Sequence, residues 1–478
     1  MKLSLLLDFS APELSGVEIT SLAHSTADAA PGALFFCLEG HSADGHIYAG
    51  EAVKRGAAAI VASRPVDVPV PVILVENTRS ALARAAHKFF GEPSKRLKTV
   101  AVTGTNGKTT TTYIIKSILD AAGKRTGIIG TNAIMFGSER IEANLTTPDP
   151  IELHSVLKRM ADAGIEYVVA EASAHALALD KLDGIVFDVA AFTNLSRDHL
   201  DFFGGMDEYF AAKKKLFTPA RARYAVINAD DPKAPELWTG GVPYTTYGCL
   251  NPADVFSINL KMSVGGLRYV LNMNDDIADV KFNMPGKFNM YNTLCAAAVA
   301  GALGIKLKYI VKGIRSLIKV DGRFNIINTS KCSIIIDFAH TDDGLRNILT
   351  TVREFAPRRI ITVFGCGGDR DKTKRPVMGA VVSRHSDLCI LTSDNPRTEK
   401  PEAIIAEILE GIEPAKRGAV LCEADRKKAI LSAIERAGEG DVVVIAGKGA
   451  ERYQDVMGRK MPYNDEQYVL SLLKERKI

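Results

Sequence analysis

The sequence predicts an α/β protein of three consecutive domains, with a parallel sheet carrying a phosphate-type loop in the middle and an open, Rossmann-like sheet at the C-terminal end. Three observations carry this expectation. The chain has 478 residues, more than one ordinary domain holds. Short β-branched runs alternate with helical patterns, the mark of buried parallel strands joined by crossover helices. A Gly-rich segment lies directly between one such run and a helical stretch.

The first block, residues 1–98, holds the Gly/Pro-punctuated run Pro31-Gly32-Ala33-Leu34-Phe35-Phe36-Cys37-Leu38 and an Ala-rich helical stretch. The turn-rich, basic segment Gly91-Glu92-Pro93-Ser94-Lys95-Arg96 reads as a linker. The second block, 99–325, has β-runs at 99–103, 167–170, 186–192 and 224–227. Between 251 and 283 its pattern becomes polar–apolar alternation, which predicts an antiparallel insertion. The third block, 326–478, has runs at 333–336, 360–364, 388–391 and 442–445, separated by helical stretches such as 344–355 and 401–411.

Composition narrows the function classes. With 46% apolar and 24% charged residues the chain has the balance of a soluble globular protein. A net charge of +4 without a dense Lys/Arg run argues against nucleic acid as the partner. Seven cysteines without CxxC or CxxxC spacing read as reduced thiols of a cytoplasmic enzyme. The N-terminal run Leu5-Leu6-Leu7 stops at Asp8 with no small-residue cleavage site after it, so a signal peptide is not expected. No run reaches the ~20 apolar residues of a membrane span.

The segment Thr103-Gly104-Thr105-Asn106-Gly107-Lys108-Thr109-Thr110-Thr111 follows a strand and opens a helix. Glycines let backbone N–H groups turn around phosphate oxygens, and the helix N-terminus favours negative charge. Lys108 can reach the terminal phosphates and the Thr109 hydroxyl can hold Mg²⁺. The strict eight-residue pattern fails, since its first Gly falls at Val102, and the alternative is an ordinary Gly-rich turn. Glu171 ends an apolar strand, and Asn194-Leu195-Ser196-Arg197-Asp198-His199-Leu200-Asp201 follows another, so acids and imidazole emerge where α/β sites lie. Such a cluster can coordinate Mg²⁺. Taken singly, Glu171 reads more often as a surface acid and His199 more often as a hydrogen-bonded loop residue. The triplet Lys213-Lys214-Lys215 reads, on physics alone, as a solvated helix face.

Together these motifs resemble the Mur ligases. The resemblance rests on Gly104 to Thr110, Thr146-Thr147-Pro148, Glu171-Ala172-Ser173-Ala174-His175 and the 194–201 loop. It continues through Ala212-Lys213, Gly286-Lys287-Phe288-Asn289-Met290-Tyr291-Asn292 and Gly322-Arg323-Phe324. Asp337-Phe338-Ala339-His340-Thr341 and Gly365-Cys366-Gly367-Gly368-Asp369-Arg370-Asp371 are similar to the MurE-type branch. The resemblance implies a monomeric, cytoplasmic three-domain enzyme that uses ATP to phosphorylate a carboxylate of a UDP-linked muramoyl peptide. An amine then attacks the acyl phosphate. It implies Mg²⁺ held by Glu171 and His199, a carbamylated Lys213 supplying a further carboxylate, and nucleotide contacts from Asn289, Asn292, Arg323 and Asp337. It assigns Ser25, His41, Ser42 and Ala43 to the uridine nucleotide. Thr146, Thr147, Ser173 and Lys181 go to the muramoyl peptide. The chain departs from the family pattern at His24, Thr26, Leu145, Leu179, Lys181 and Ala450.

Ser393-Asp394-Asn395-Pro396-Arg397 follows the run ending at Leu391. By itself it is turn chemistry with an exposed Arg. Within the resemblance it looks like the diaminopimelate-adding form, because a guanidinium fork suits the second carboxylate that distinguishes diaminopimelate from lysine. Arg370, Gly447 and Glu451 complete that implied site, with Glu451 pairing the substrate ammonium. The rival readings are the same ligase using L-lysine, a folylpolyglutamate-synthase-like ligase, and a phosphate-loop NTPase acting as a switch.

Overall fold

The computed structural model describes residues 1–7, 16–40, 43–355 and 358–476. His41 and Ser42, expected at the uridine nucleotide, lie outside the described residues. Three open sheets follow one another along the chain. The first is wholly parallel, in the order β1 (Ser21–Ala23), β2 (Ala33–Phe36), β3 (Ala59–Ala62), β4 (Val72–Leu74). β2 and β3 are buried on both faces, which is why their sequences, Ala-Leu-Phe-Phe and Ala-Ile-Val-Ala, lack polar alternation. The expected linker folds as a 3₁₀ turn at Pro93–Arg96, entered through Glu92 at φ +52°.

Eleven strands make the central sheet. In chain order they are β5 (Lys98–Thr103), β6 (Thr126–Ile129), β7 (Ile134–Phe136), β8 (Glu139–Ile141), β9 (Tyr167–Glu171), β10 (Val189–Phe192), β11 (Ala225–Asn228), β12 (Tyr244–Gly248), β13 (Val255–Ser263), β14 (Gly266–Met273) and β15 (Asp276–Phe282). Their spatial order is β15-β14-β13-β12-β11-β10-β5-β9-β6-β7-β8. The middle is parallel, and β5 lies between β10 and β9. The chain therefore leaves the sheet on both sides of β5, the crevice where ligands of open α/β sheets bind. The expected antiparallel insertion is β13–β15, and it lengthens the main sheet because β13 pairs parallel with β12. The run expected from 186 becomes a strand only at Val189. The Asp188 carboxylate takes the N–H of Thr99 at 2.8 Å and so occupies the place of one more ladder pair.

The third sheet contains β16 (Asn325–Asn328), β17 (Cys332–Asp337), β18 (Ile360–Phe364), β19 (Leu388–Leu391), β20 (Val420–Cys422) and β21 (Asp441–Ala446). Its order is β16-β17-β21-β18-β19-β20, parallel except for β16. A hairpin of β22 (Tyr453–Val456) and β23 (Arg459–Pro462) follows. Helix Lys108–Ala121 buries Ile114, Ile115, Ile118 and Leu119 against the central sheet. The same apolar cluster continues through Val320 and Phe324 to Ile335 and Leu345 of the third sheet's layer. Among the described residues, no helix is long and apolar enough to cross a membrane.

Candidate active site

The C-terminal ends of the central and third sheets line one cavity of about 1360 Å³. β5 ends at Thr103 and the chain turns at Gly104 and Gly107, with φ +144° and +86°. Both need glycine for space as well as for conformation. A Cβ on Gly104 would stand 1.9 Å from Thr193 Oγ1, and one on Gly107 2.3 Å from Asn292 Oδ1. The end of β10 shapes the loop from beside it: Asn106 N–H donates to Asn194 Oδ1 (2.9 Å) and the Thr193 hydroxyl to the Asn106 carbonyl (2.7 Å). The Thr105 hydroxyl donates to the Ser196 carbonyl at 3.0 Å. Lys108 Nζ folds back onto the carbonyls of Gly104 (2.9 Å) and Thr105 (2.8 Å). Helix Lys108–Ala121 has Gly107 as N-cap and no side-chain cap, so its first N–H groups suit an anion. Thr110, in its first turn, lines the cavity.

Across the loop, Arg323 Nη2 donates to the Thr109 hydroxyl at 3.0 Å, and its guanidinium lies 4.4 Å from the Phe338 ring centroid. Its Nε is buried without a protein partner. Asp337 accepts the N–H groups of Phe324 and Ala339, each at 2.7 Å, and burial pushes its carboxyl above the usual range. Asn289 and Asn292 are buried on helix Lys287–Ala302. Asn289 Nδ2 donates to the Pro285 carbonyl (2.7 Å) and Asn292 Nδ2 to Asn289 Oδ1 (3.0 Å), which fixes both amides.

Glu171 ends β9 and is 1% exposed. Its two oxygens accept from Thr131, one from the backbone N–H (2.9 Å) and one from the hydroxyl (3.0 Å). His199 is held in the left-handed region at φ +56°, with its ring against that of His175 at 4.7 Å between centroids. Burial holds the His199 pKa down to about 3, so the imidazole stays neutral and can donate a lone pair. Asp198 is buried beside it, 3.3 Å from His199 Nε2, 3.6 Å from His340 Nε2 and 3.7 Å from Lys374 Nζ. Burial opposes the Asp198 charge, but the facing imidazoles and the Lys374 ammonium outweigh it and lower the pKa.

The lysine triplet divides. Lys213 is 1% exposed, while Lys215 is exposed and pairs with Asp180 at 2.9 Å. The solvated-face reading therefore fails for Lys213. Its Nζ donates to the Gly104 carbonyl (3.0 Å) and lies 4.1 Å from the Tyr209 ring centroid. Burial, then the Lys108 charge, pushes its pKa well below the ordinary lysine value, which favours the neutral, nucleophilic amine. Glu171, Thr109 and the neutral His199, all lining the cavity, offer the oxygen and nitrogen atoms that divalent cations take. The Lys213 amine joins such a set only after it gains a carboxylate.

The third sheet supplies the opposite wall. Asn395 Nδ2 donates to Glu451 Oε2 (2.9 Å), and the fully buried Lys448 Nζ donates to both Glu451 Oε2 (2.7 Å) and Asn395 Oδ1 (2.9 Å). Asp394 Oδ2 is buried without a protein partner. Arg397 has φ +51°, held between the Asp455 carbonyl (3.0 Å) and the Met457 N–H (2.7 Å), and its guanidinium donates to the Gly368 carbonyl. Arg397 is thus a clamped, half-buried side chain facing the cavity, unlike a simple exposed turn residue. Arg370 lies 3.8 Å from Asp201 of the central block. Gly447, at φ +111°, leaves 2.4 Å between its absent Cβ and Asp394 Oδ2.

Thr146, Thr147, Ser173 and Lys181 line the same cavity. The Thr146 and Thr131 hydroxyls meet at 3.1 Å. Thr147 Oγ1 donates to the Glu171 carbonyl (2.7 Å), and Ser173 Oγ caps a short helix through Ala176 N–H (3.2 Å). Lys181 pairs with Asp149 at 2.7 Å. Ser25, Ala43 and Pro396 are not among the lining residues. Ser25 caps a 3₁₀ turn through Ala27 N–H (3.2 Å). Sequence reasoning missed Thr131, which carries no motif of its own. It also quoted or passed over Asp198, His340 and Lys374 without pairing them, since partners so far apart in sequence leave no periodic signal.

Comparison with known proteins agrees with this geometry. The family pattern described as Mur ligase middle domain matches residues 102–300, that of the Mur ligase, glutamate ligase domain matches 322–449, and that of the Mur ligase family, catalytic domain matches 18–90. The UDP-N-acetylmuramoyl-L-alanyl-D-glutamate--2,6-diaminopimelate ligase of Geobacillus kaustophilus is 44% identical over 468 residues, 96% of each chain. The ligase of the same name from Syntrophomonas wolfei is 42% identical over 464 residues, 96% of this chain and 95% of that one. A solved structure of a ligase of that name superposes with a TM-score of 0.70 at 30% identity, covering 100% of both chains. With relatives this similar over nearly the whole length, and the phosphate loop and the Asp-Asn-Pro-Arg segment on one cavity, the chain belongs to the Mur ligase family.

Proposed function

We propose that this chain is an ATP-dependent amide-bond ligase of peptidoglycan synthesis that joins meso-2,6-diaminopimelate to UDP-N-acetylmuramoyl-L-alanyl-D-glutamate. The observation that carries the reading is the shared cavity. It brings the phosphate loop, the Thr146–Thr147–Ser173 wall and the Asp394–Arg397 and Gly447–Glu451 loops within reach of one another. A carboxylate oxygen of the glutamyl substrate attacks the γ-phosphorus of ATP and ADP leaves, giving an acyl phosphate. The amine of diaminopimelate then attacks the acyl carbon, a tetrahedral intermediate forms, the phosphate departs and the amine proton is lost. Lys108, the Gly104–Gly107 backbone and Arg323 neutralise charge on the phosphates, while the third-sheet loops orient the amine.

Glu171, Thr109 and His199 are the residues that would hold Mg²⁺, whose charge balances the phosphoryl oxygens. Carbamylated Lys213 completes that set in this proposal. Asn289, Asn292 and Asp337 fix the nucleotide's surroundings, and Ser25 with Ala43 serves the uridine end outside the main cavity. Asp394 and Glu451 take the ammonium of the amino acid, and Arg397 and Arg370 take its carboxylates. The domain division at 98/99 and 325/326 and a cytoplasmic, monomeric enzyme belong to the same reading. The test is the product: incubation with both substrates and ATP should give one UDP-linked species heavier by diaminopimelate less water. A mass spectrum showing the unchanged dipeptide would overturn the assignment.

A further inference from the structure

The amino-acid loops leave the third sheet at the ends of β18, β19 and β21. In that sheet β18 separates β19 from β21, so no backbone ladder ties the loop at 393–397 to the loop at 447–451. Arg426 spans the gap at the base of both loops. Arg426, first residue of helix Arg426–Arg436, is 2% exposed. Its Nη1 donates to the Ser393 carbonyl (3.4 Å) and its Nη2 to the Ala446 carbonyl (2.9 Å). These are the residues immediately before Asp394 and Gly447. The guanidinium is itself held by Asp465, 0% exposed, through Nε to Oδ1 (2.9 Å) and Nη2 to Oδ2 (2.8 Å). The Tyr463 hydroxyl donates to Asp465 Oδ1 at 2.8 Å. Asp425 caps the helix through the N–H groups of Lys427 and Lys428, fixing where Arg426 begins.

We infer that Arg426, locked by Asp465, is a positioning residue that sets the spacing between the two amino-acid loops. The inference rests on the proposed ligase reading for what the loops bind. A planar fork can serve a carboxylate and two carbonyls at once, and an ammonium cannot reproduce that geometry. Stability alone does not call for the pair, because a buried ion pair is commonly replaced by apolar residues of similar volume without loss. The two bridged loops also meet directly, Asn395 Nδ2 donating to Glu451 Oε2 at 2.9 Å. A shift at either carbonyl therefore moves a ligand-facing group.

The test compares the wild type with the Arg426→Met/Asp465→Leu double variant, with Arg426→Lys and Tyr463→Phe as milder changes should the double variant not fold. Thermal melting establishes the fold. Kinetics then read each substrate separately, and amide hydrogen exchange reads the loops without any substrate. A folded variant should show KM for diaminopimelate raised by about 10-fold or more, KM for ATP unchanged, and faster exchange at 393–397 and 447–451. Normal KM for diaminopimelate with unchanged exchange in a folded variant would overturn the brace. If wild-type protein fails to ligate diaminopimelate, the ligase reading falls, and the exchange comparison alone still decides the brace.

Discussion

Replacing Arg397 by Ala should change which amino acid the enzyme uses. Arg397 is half-buried, clamped through its backbone by β22 and oriented by the Gly368 carbonyl, so its guanidinium is pre-set before substrate arrives. Truncating one partner of a hydrogen-bonded charge pair costs roughly 2–5 kcal/mol, and partial exposure places this site toward the lower end, about 2–3 kcal/mol. At 1.4 kcal/mol per decade that is about a 30- to 150-fold loss in kcat/KM for meso-diaminopimelate. L-Lysine lacks the matching carboxylate, and with it bound the half-buried wild-type guanidinium keeps the Gly368 carbonyl but gains no opposite charge. The variant should therefore hold or gain lysine activity, and the diaminopimelate-to-lysine ratio should fall by the same 30- to 150-fold or so. Phosphate release with each amino acid in wild type and variant gives the ratio. A ratio left unchanged would refute the argument and make Arg397 a turn residue only.

Other outcomes follow from the same geometry. Lys108→Ala should lower kcat by about 10²- to 10³-fold while the melting temperature barely moves, because the side chain donates only to two loop carbonyls; near-normal turnover would remove the phosphate-loop assignment. Lys213→Ala should inactivate the enzyme, and wild-type activity should rise with bicarbonate at mildly alkaline pH, since burial already favours the neutral amine that attacks CO₂; an unmodified lysine in the mass spectrum of fully active enzyme would exclude the carbamate. Hydrogen bonding from buried Arg375 lowers the Glu399 pKa from 4.5 to about 2, so this pair's stabilisation is full above pH 4.5 and is lost as pH falls through about 2. Glu399→Gln should lower stability at neutral pH, by less than the full shift because solvent screens the pair, and the denaturation curves of the two proteins should converge near pH 2; a gap independent of pH would contradict the linkage.

How much could be read from the chain depended on whether the signal was local. Runs such as 360–364 and 442–445 became strands because β-branched and apolar residues fill them with no charge between, and their C-terminal ends put Gly365, Gly367 and Arg370, and Gly447 and Glu451, on the cavity. Short or polar strands escaped: β12 reads Tyr-Thr-Thr-Tyr-Gly, and β7 and β8 have three residues each. Lys213 looked like its neighbours until the fold turned it under the Gly104 carbonyl, a contact 109 residues away in sequence. The Asp198–His340–Lys374 cluster and the Arg426 bridge likewise join segments that only tertiary packing brings together.

One cavity is to couple ATP turnover to the joining of a UDP-linked dipeptide and diaminopimelate. The most direct test of this coupling is steady-state phosphate release, omitting each of the three substrates in turn and replacing diaminopimelate by L-lysine or L-ornithine. Turnover is expected only with all three present, and far faster with meso-diaminopimelate than with either replacement. ATP hydrolysis that proceeds without the amino acid, or faster with lysine, would contradict it.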